Sequence, residues 1–362
     1  MKKVKSTKTS NSLYQSLYNL DNAYGVSGDE TEVSAVLKHE MADLYDHFEE
    51  DALGNHFYVK NGTDKTLKMM ISAHLDEIGF IVKYIDERGL VYVLPVGYHD
   101  DRMFINQDVN IHTLTGVIHG VTGSKPAHIL SAEDKAKSIP LTEIGIDVGT
   151  LTREETLALG VQVGDYVNYR REGDLINNGK IYSGKAVDNR AGCAVMVEVM
   201  RRLKNKKVKP TIYAVGSVQE EVGIRGAGTA ATKINPDVAI SVDVTLACGA
   251  AGLDPKDIPI ELGQGAAVKF YDWDPTSMVG SSVPRKMTSK LIELAEKNHI
   301  PYQREVLLYG GTDAWAISVS HTGVLTGGIS IPQRYMHTAV GTVHLDDLEA
   351  CVQLLLAYIN DL

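Results

Sequence analysis

Five side chains carrying hard or borderline donor atoms stand at or near the ends of apolar runs. They are His74 in ISAHLDEIGF, Asp188 in GKAVDNRAGCAV, Glu221 in VGSVQEEVGIRG, Asp243 in AISVDVTLACG and His337 in ISIPQRYMHTAVG. Imidazoles and carboxylates without a thiolate suit a pair of divalent cations used for hydrolysis, with one carboxylate shared between ions roughly 3.5 to 4 Å apart. If Asp188 is shared, each ion receives three protein groups and keeps a position open for water or substrate, as catalytic sites do. Glu220 adjoins Glu221. Two adjacent carboxylates cannot both face one ion without strain, so one can ligate while the other reaches the bound water. That makes Glu220 the candidate general base.

Each residue alone has an ordinary structural explanation. His74 could be a packed histidine after a strand, and Asp188 with Asn189 could cap the helix that AGCAVMVEVMRRL predicts. Glu220 and Glu221 could be a solvated strand end, Asp243 a turn residue, and His337 a loop histidine. Together they are harder to dismiss, because LKMMISA, TIYAVGSV and VAISV read as buried parallel strands. Open α/β sheets gather ligands at the carboxyl ends of such strands. GIRGAG at 223–228 lacks the Lys-Ser or Lys-Thr of a phosphate loop, so its glycines are expected to turn the chain away from Glu221. Gly310 and Gly311, with Thr312 and Asp313 after them, are expected to bring the chain close to substrate, Asp313 being equally a helix cap or a group behind the site. His99, His112, His119 and His128 read as surface or packing residues.

The elements that must position these groups form an α/β unit with a mixed central sheet flanked by helices, interrupted by a smaller β-rich insertion. Glu30 to about His47 has helical spacing. His56 to Val59 begins a sheet that LKMMISAHL and IGFIVKYI continue. From about residue 88 to 178, short alternating runs broken by glycine suggest the inserted β domain. Residues 13–87 and 179–362 are expected to form the catalytic unit, and residues 1–12 a mobile amino-terminal segment. Helices are expected from Ala191, over Thr288–Asn298 and from Asp346, with strands from Thr211 and Val238.

The chain has 362 residues, 36 Lys and Arg against 46 Asp and Glu, and a net charge of −10. A nucleic-acid role therefore lacks an electrostatic footprint. Apolar runs fall short of the roughly 20 residues of a membrane span. MKKVKSTKTSNS lacks the apolar stretch of a secretory signal. Three cysteines, Cys193, Cys248 and Cys351, fit a reducing cytoplasm rather than a disulfide framework.

The motifs AHLDE, DNR, QEEVGIRGA, the VD step at Asp243 and RYMHT occur in that order. In this they resemble the tetrahedral (TET) di-metal aminopeptidases, which include glutamyl and deblocking enzymes, over nearly the whole chain. The resemblance implies one ion held by His74, Asp188 and Asp243 and another by Asp188, Glu221 and His337, with Glu220 as base. It implies Asp76 as the carboxylate fixing the His74 imidazole. It implies Zn²⁺ or Co²⁺, while the ligands alone also admit Mn²⁺. A water between the ions would lose its proton to Glu220, attack the first peptide bond of a substrate with a free amino terminus, and leave Glu220 to protonate the leaving amine. The insertion would serve subunit contacts in dimers that build a tetrahedral dodecamer. GGTDAWAI is the most divergent string: Trp315 stands where that family usually has a small residue, which would reshape the substrate pocket. Other expectations are a related carboxypeptidase or amidohydrolase, a metal-free glycosidase with two carboxylates, or a non-catalytic scaffold.

Overall fold

The computed structural model describes residues 8–133, 137–249 and 252–362. Two helices, α1 (Lys8–Asn22) and α2 (Thr31–Glu40), precede β1 (His47–Glu50), β2 (His56–Lys60) and β3 (Asp64–His74). Six strands follow: β4 (Gly79–Ile85), β5 (Val91–Val96), β6 (Asp108–Thr113), β7 (Gly116–Thr122), β8 (Ile146–Asp147) and β9 (Tyr166–Tyr169), with α3 (Arg153–Ala158) before the last. The chain continues through β10 (Asp174–Ile176), β11 (Ile181–Gly184), α4 (Val187–Leu203), β12 (Pro210–Ser217), α5 (Arg225–Ile234) and β13 (Val238–Leu246). It ends with β14 (Ala266–Trp273), α6 (Arg285–Lys297), β15 (Tyr302–Leu308), α7 (Asp313–Ser318), β16 (Leu325–Arg334), β17 (Gly341–His344) and α8 (Leu345–Asp361).

The main sheet has eleven strands in the order β1-β2-β12-β3-β13-β16-β17-β11-β10, with β14 joined to β16 and β15 joined to β14. Its centre, β12-β3-β13-β16, is parallel, and its flanks are antiparallel apart from the parallel β14–β15 pair. Period-2 alternation sends neighbouring residues to opposite faces. Met69, Ile71 and Ala73 of β3 join the core under α1, α2, α4, α6 and α8, whereas Met70 packs with Val215, Ala227, Ala231 and Ile317 beneath α5 and α7. A sheet covered on both faces explains why its central strands read as continuous apolar runs. Each fully buried aliphatic contributes about 1.5–3 kcal/mol.

The six strands β4-β5-β8-β7-β6-β9 close into a separate small barrel, filled by Phe80, Val82, Phe104, Val109, Ile111 and Val167. Both expected edges of the insertion shift. β4, expected to extend the main sheet, pairs with β5 and β9 of the barrel. β10, expected within the insertion, pairs with β11 of the main sheet. The reason is local: Leu75 to Ile78 turn the chain out of the sheet after β3, and an alternating strand such as GFIVKYI satisfies a barrel wall as well as a sheet.

Two helical expectations change. α2 stops at Glu40, and His47 begins β1 rather than ending a helix. Residues 8–12, expected to be mobile, begin α1, whose Leu13, Leu17 and Leu20 recur at helical spacing and are buried; the rest of that expectation, residues 1–7, lies outside the described residues. Among the described residues, no helix is long and apolar enough to cross a membrane.

Candidate metal centre

His74 is the last residue of β3 and is buried. Its Nδ1 lies 3.1 Å from the backbone oxygen of Asp76. A carbonyl only accepts, so the proton sits on Nδ1 and Nε2 is free as a donor to a metal. Nε2 faces Asp188 Oδ1 at 3.2 Å and Asp243 Oδ1 at 3.7 Å. Asp243 is not in a turn: β13 runs three residues beyond it to Leu246. The third partner, Asp188, opens α4 with non-helical backbone angles. The capping work expected of the Asp-Asn pair falls to Asn189, whose Oδ1 accepts from Gly192 N at 3.0 Å and whose Nδ2 donates to Val242 O at 2.9 Å. Asp188 is thereby free to face the site.

The second group assembles from loops. His337 lies three residues past β16 with φ +56, and its Nδ1 donates to Tyr98 O at 2.9 Å. Its Nε2 faces Asp188 Oδ2 at 3.5 Å and Glu221 Oε2 at 3.4 Å. The two oxygens of Asp188 are thus divided, Oδ1 toward His74 and Oδ2 toward His337. Glu220 and Glu221 follow β12, and their backbone N–H groups both donate to the Asp76 carboxylate, 3.0 Å to Oδ1 and 3.0 Å to Oδ2. Asp76 lies two residues beyond the end of β3. Its carboxylate is 3.5 Å from His74 Nδ1, farther than its own carbonyl.

One donor atom from each of His74, Asp188 and Asp243 lies within 4.8 Å of the others, and the same holds for Asp188, Glu221 and His337. Donors 2.0–2.2 Å from a tetrahedral ion lie about 3.4 Å from one another. The four imidazole–carboxylate separations, 3.2 to 3.7 Å, match that spacing. The residues therefore fit two ions that share Asp188, on the chemistry of the donors and on their separations.

The electrostatics agree. Burial pushes the Glu220 carboxyl well above the ordinary range; His74 opposes, and Asp243, Glu221 and Asp313 reinforce. Burial also raises Glu221 and Asp243, against the imidazoles facing them. Asp188 behaves oppositely: burial acts upward, but hydrogen bonds from His337 and His74 outweigh it and hold the carboxyl low. Burial would lower His337, yet Glu221 and Asp188 raise it to about 9. So many carboxyls crowded out of water attract positive charge.

The other anticipated residues divide. Asp313 is buried and does not line a substrate surface; its Oδ2 accepts from Ser72 and Ser217 Oγ, both at 2.5 Å, behind the site. The cap of α7 is Thr312. A Cβ on Gly311 would stand 3.6 Å from Ile224 Cδ1, near the Glu220 turn, whereas one on Gly310 would meet Leu307 at 2.7 Å. Trp315 is half-buried in α7 and outside both donor groups. His99 packs on Phe80 with ring centroids 4.4 Å apart, and His112 stacks on Tyr24 at 3.4 Å. Sequence reasoning missed a buried framework that holds the Asp188 turn. Lys185 pairs with Glu77 at 2.6 Å, Arg190 Nε donates to Leu75 O at 2.7 Å, and Ala186 N donates to Asp21 Oδ1 at 2.8 Å. Their only signal was charge inside apolar runs.

The sequence profile of the M42 glutamyl aminopeptidases matches residues 54–354. The chain belongs to the M42 glutamyl aminopeptidase family. Within it, the glutamyl aminopeptidase of Lactococcus lactis subsp. cremoris is 32% identical over 354 residues, 97% of this chain and 96% of its own. The TET aminopeptidase of Thaumarchaeota archaeon SCGC AB-539-E09 superposes with a TM-score of 0.92 at 32% identity, covering 98% of each chain. The TET1 peptidase of Pyrococcus horikoshii, described as able to assemble into a tetrahedron or a large octahedral shell, superposes with a TM-score of 0.85 at 30% identity, over 97% of this chain and 100% of its own. The M42 chain is accordingly a peptidase, and its fold is the one these TET enzymes share.

Proposed function

We propose that this M42 peptidase removes amino-terminal residues from peptides, using two divalent ions with Glu220 as general base. The observation that carries the reading is the division of Asp188, one oxygen to each triad. His74 and Asp243 would complete one ion's ligands, and Glu221 and His337 the other's. Zn²⁺ and Co²⁺ suit these donors, and Mn²⁺ is admitted. When bound, the ions supply Lewis acidity that makes water nucleophilic near neutral pH and polarises the scissile carbonyl. The Glu220 carboxylate takes the proton of the attacking water and returns it to the leaving nitrogen, a task its raised affinity for protons favours. The Asp76 carboxylate orients Glu220 and Glu221 through their backbone, and the Tyr98 carbonyl and Asp76 carbonyl orient the two imidazoles. Backbone at Gly311, beside the Glu220 turn, is the proposed contact with substrate.

The barrel is proposed as a subunit-contact unit inserted in the catalytic unit, with dimers building a tetrahedral dodecamer. Exposed apolar residues on it support this, Leu114 at 100%, Leu151 at 81% and Val163 at 64% exposure, as does the assembly described for the Pyrococcus relative. A light-scattering mass near twelve subunits is expected, and a mass near one would contradict it. The three buried thiols support a cytoplasmic location.

The decisive experiment is hydrolysis of aminoacyl anilides, free and N-acetylated, after chelation and after returning Zn²⁺, Co²⁺ or Mn²⁺. Metal-dependent release from free-amine substrates alone is expected, and the panel also reports the first-residue preference. Cleavage of only the acylated set would make the chain an amidohydrolase, and activity that survives chelation would remove the metal mechanism.

A further inference from the structure

Four successive backbone N–H groups of the segment carrying the paired glutamates are taken by side chains from distant parts of the chain. Val218 N donates to Asn55 Oδ1 at 3.1 Å, Gln219 N to Glu30 Oε1 at 3.2 Å, and Glu220 N and Glu221 N to the two oxygens of Asp76 at 3.0 Å each. Strand pairing in β12 has ended at Ser217, and Gln219 and Ile224 both have positive φ, 56 and 53. Backbone N–H groups of Gly223 to Gly226 hold the carbonyls of Val218, Gln219 and Glu220, but neither ladder nor helix takes the N–H groups of residues 218–221, and these side-chain acceptors do.

Asp76 touches the metal site directly, but Glu30 and Asn55 do not, and both are buried, at 7% and 0% exposure. Glu30 holds the N-cap position of α2, where a short polar side chain would ordinarily bond the helix's own N–H groups. It makes no such bond. Its Oε1 instead accepts from Gly28 N at 2.9 Å and from Gln219 N. Burial pushes this carboxyl up to about 7, the Gly28 N–H opposing and Asp76 reinforcing, so its placement costs stability that the helix alone does not recover. Asn55 is equally committed: while Oδ1 receives Val218 N, Nδ2 faces Asp51 Oδ2 at 2.7 Å and Gly226 O at 3.1 Å. A Cβ on residue 226 would lie 2.4 Å from Asn55 Oδ1, so the glycine is what admits this approach.

We infer that Glu30 and Asn55 are positioning residues for the peptidase reaction, fixing through the backbone the direction in which Glu220 and Glu221 project. The inference rests on the di-metal reading above. Adjacent residues leave the chain in different directions, so a rotation of this turn displaces base and ligand together. Acceptors that carry charge make the stronger bonds to such N–H groups.

The test compares Glu30→Met, similar in length but without an acceptor, with Glu30→Gln, which keeps a carbonyl oxygen, both as full-length zinc-saturated protein. Glu30→Met is expected to lower kcat about tenfold to a hundredfold while KM moves by less than about threefold, and Glu30→Gln to restore kcat to within about threefold. Calorimetry with Zn²⁺ should find one of the two equivalents weakened in Glu30→Met alone. A folded, zinc-loaded Glu30→Met with kcat near that of the unaltered enzyme, or a Glu30→Gln as impaired as Glu30→Met, would overturn the inference. Hydrogen exchange on the unaltered enzyme decides the matter even if Glu30→Met fails to fold. The amides of residues 218–221 should be protected, and exchange at the rate of an unstructured peptide would contradict the inference. Unaltered enzyme that is silent on aminoacyl anilides would instead sink the peptidase reading and leave the exchange result standing.

Discussion

His337 donates its Nδ1 proton to the backbone carbonyl of Tyr98 across 2.9 Å, so an imidazole of the α/β unit is aimed by the chain that leaves β5 of the barrel. Ala339, two residues on, packs in the barrel's own hydrophobic cluster. His74, by contrast, sits in the centre of the parallel sheet.

The two imidazoles should therefore respond differently to removal. In chelator, His74→Ala is expected to lower unfolding stability by roughly 3–5 kcal/mol, because it strips a partner from buried carboxylates. His337→Ala, with its side chain 25% exposed, should cost less than His74→Ala, because water screens part of its pairing with Asp188 and Glu221. Urea unfolding of both variants decides it, and equal losses would refute the distinction.

Glu220→Gln is expected to retain both ions by elemental analysis and to lower kcat by about 10²–10⁴-fold, the usual range for a general base. Undiminished turnover in the metal-replete variant would remove Glu220 from that role.

Ion binding should expel protons. His337 is raised to about 9 and His74 well above its ordinary value, burial opposing in both and the facing carboxylates prevailing. Both imidazoles are then protonated at neutral pH. Titration with Zn²⁺ at pH 7 should release about two protons per pair of ions. Calorimetry in two buffers of different ionisation enthalpy measures this, and identical apparent enthalpies would contradict it.

His99 should make the metal-free protein acid-sensitive. Burial lowers its pKa from 6.5 to about 4, the Val96 carbonyl opposing. The folded state then binds fewer protons than the unfolded chain between those values, so stability is present above pH 6.5 and is lost as pH falls toward 4. Between pH 7 and 5 the unaltered protein should lose about 2 kcal/mol more than His99→Phe. Parallel pH profiles for the two proteins would count against this.

Much of the proposed centre was legible because its candidate ligands stand at or near the ends of apolar runs and because their residue types have few other reasons to cluster. What escaped acts through backbone atoms or across long stretches of chain. Nothing in VSGDE distinguishes Glu30 as a partner of Gln219 from Glu30 as a helix cap, since the bond joins residues 189 apart. The Tyr98 carbonyl leaves no side-chain signature at all. The barrel's edges were misjudged because β4 alternates as either a sheet strand or a barrel strand would. α1 was legible and overlooked, its leucines recurring at helical spacing within a polar segment. Asp313 was left open between substrate contact, cap and support because its partners, Ser72 and Ser217, are ordinary until two central strands bring them beneath it.

The strand β16, which leads to His337, is inserted between β13 and β17 late in the chain, and α8 follows it almost to the end. His337 therefore reaches the proposed second donor group only through a strand that must first insert between two others, so that group depends on the completed pairing of β16 with β13.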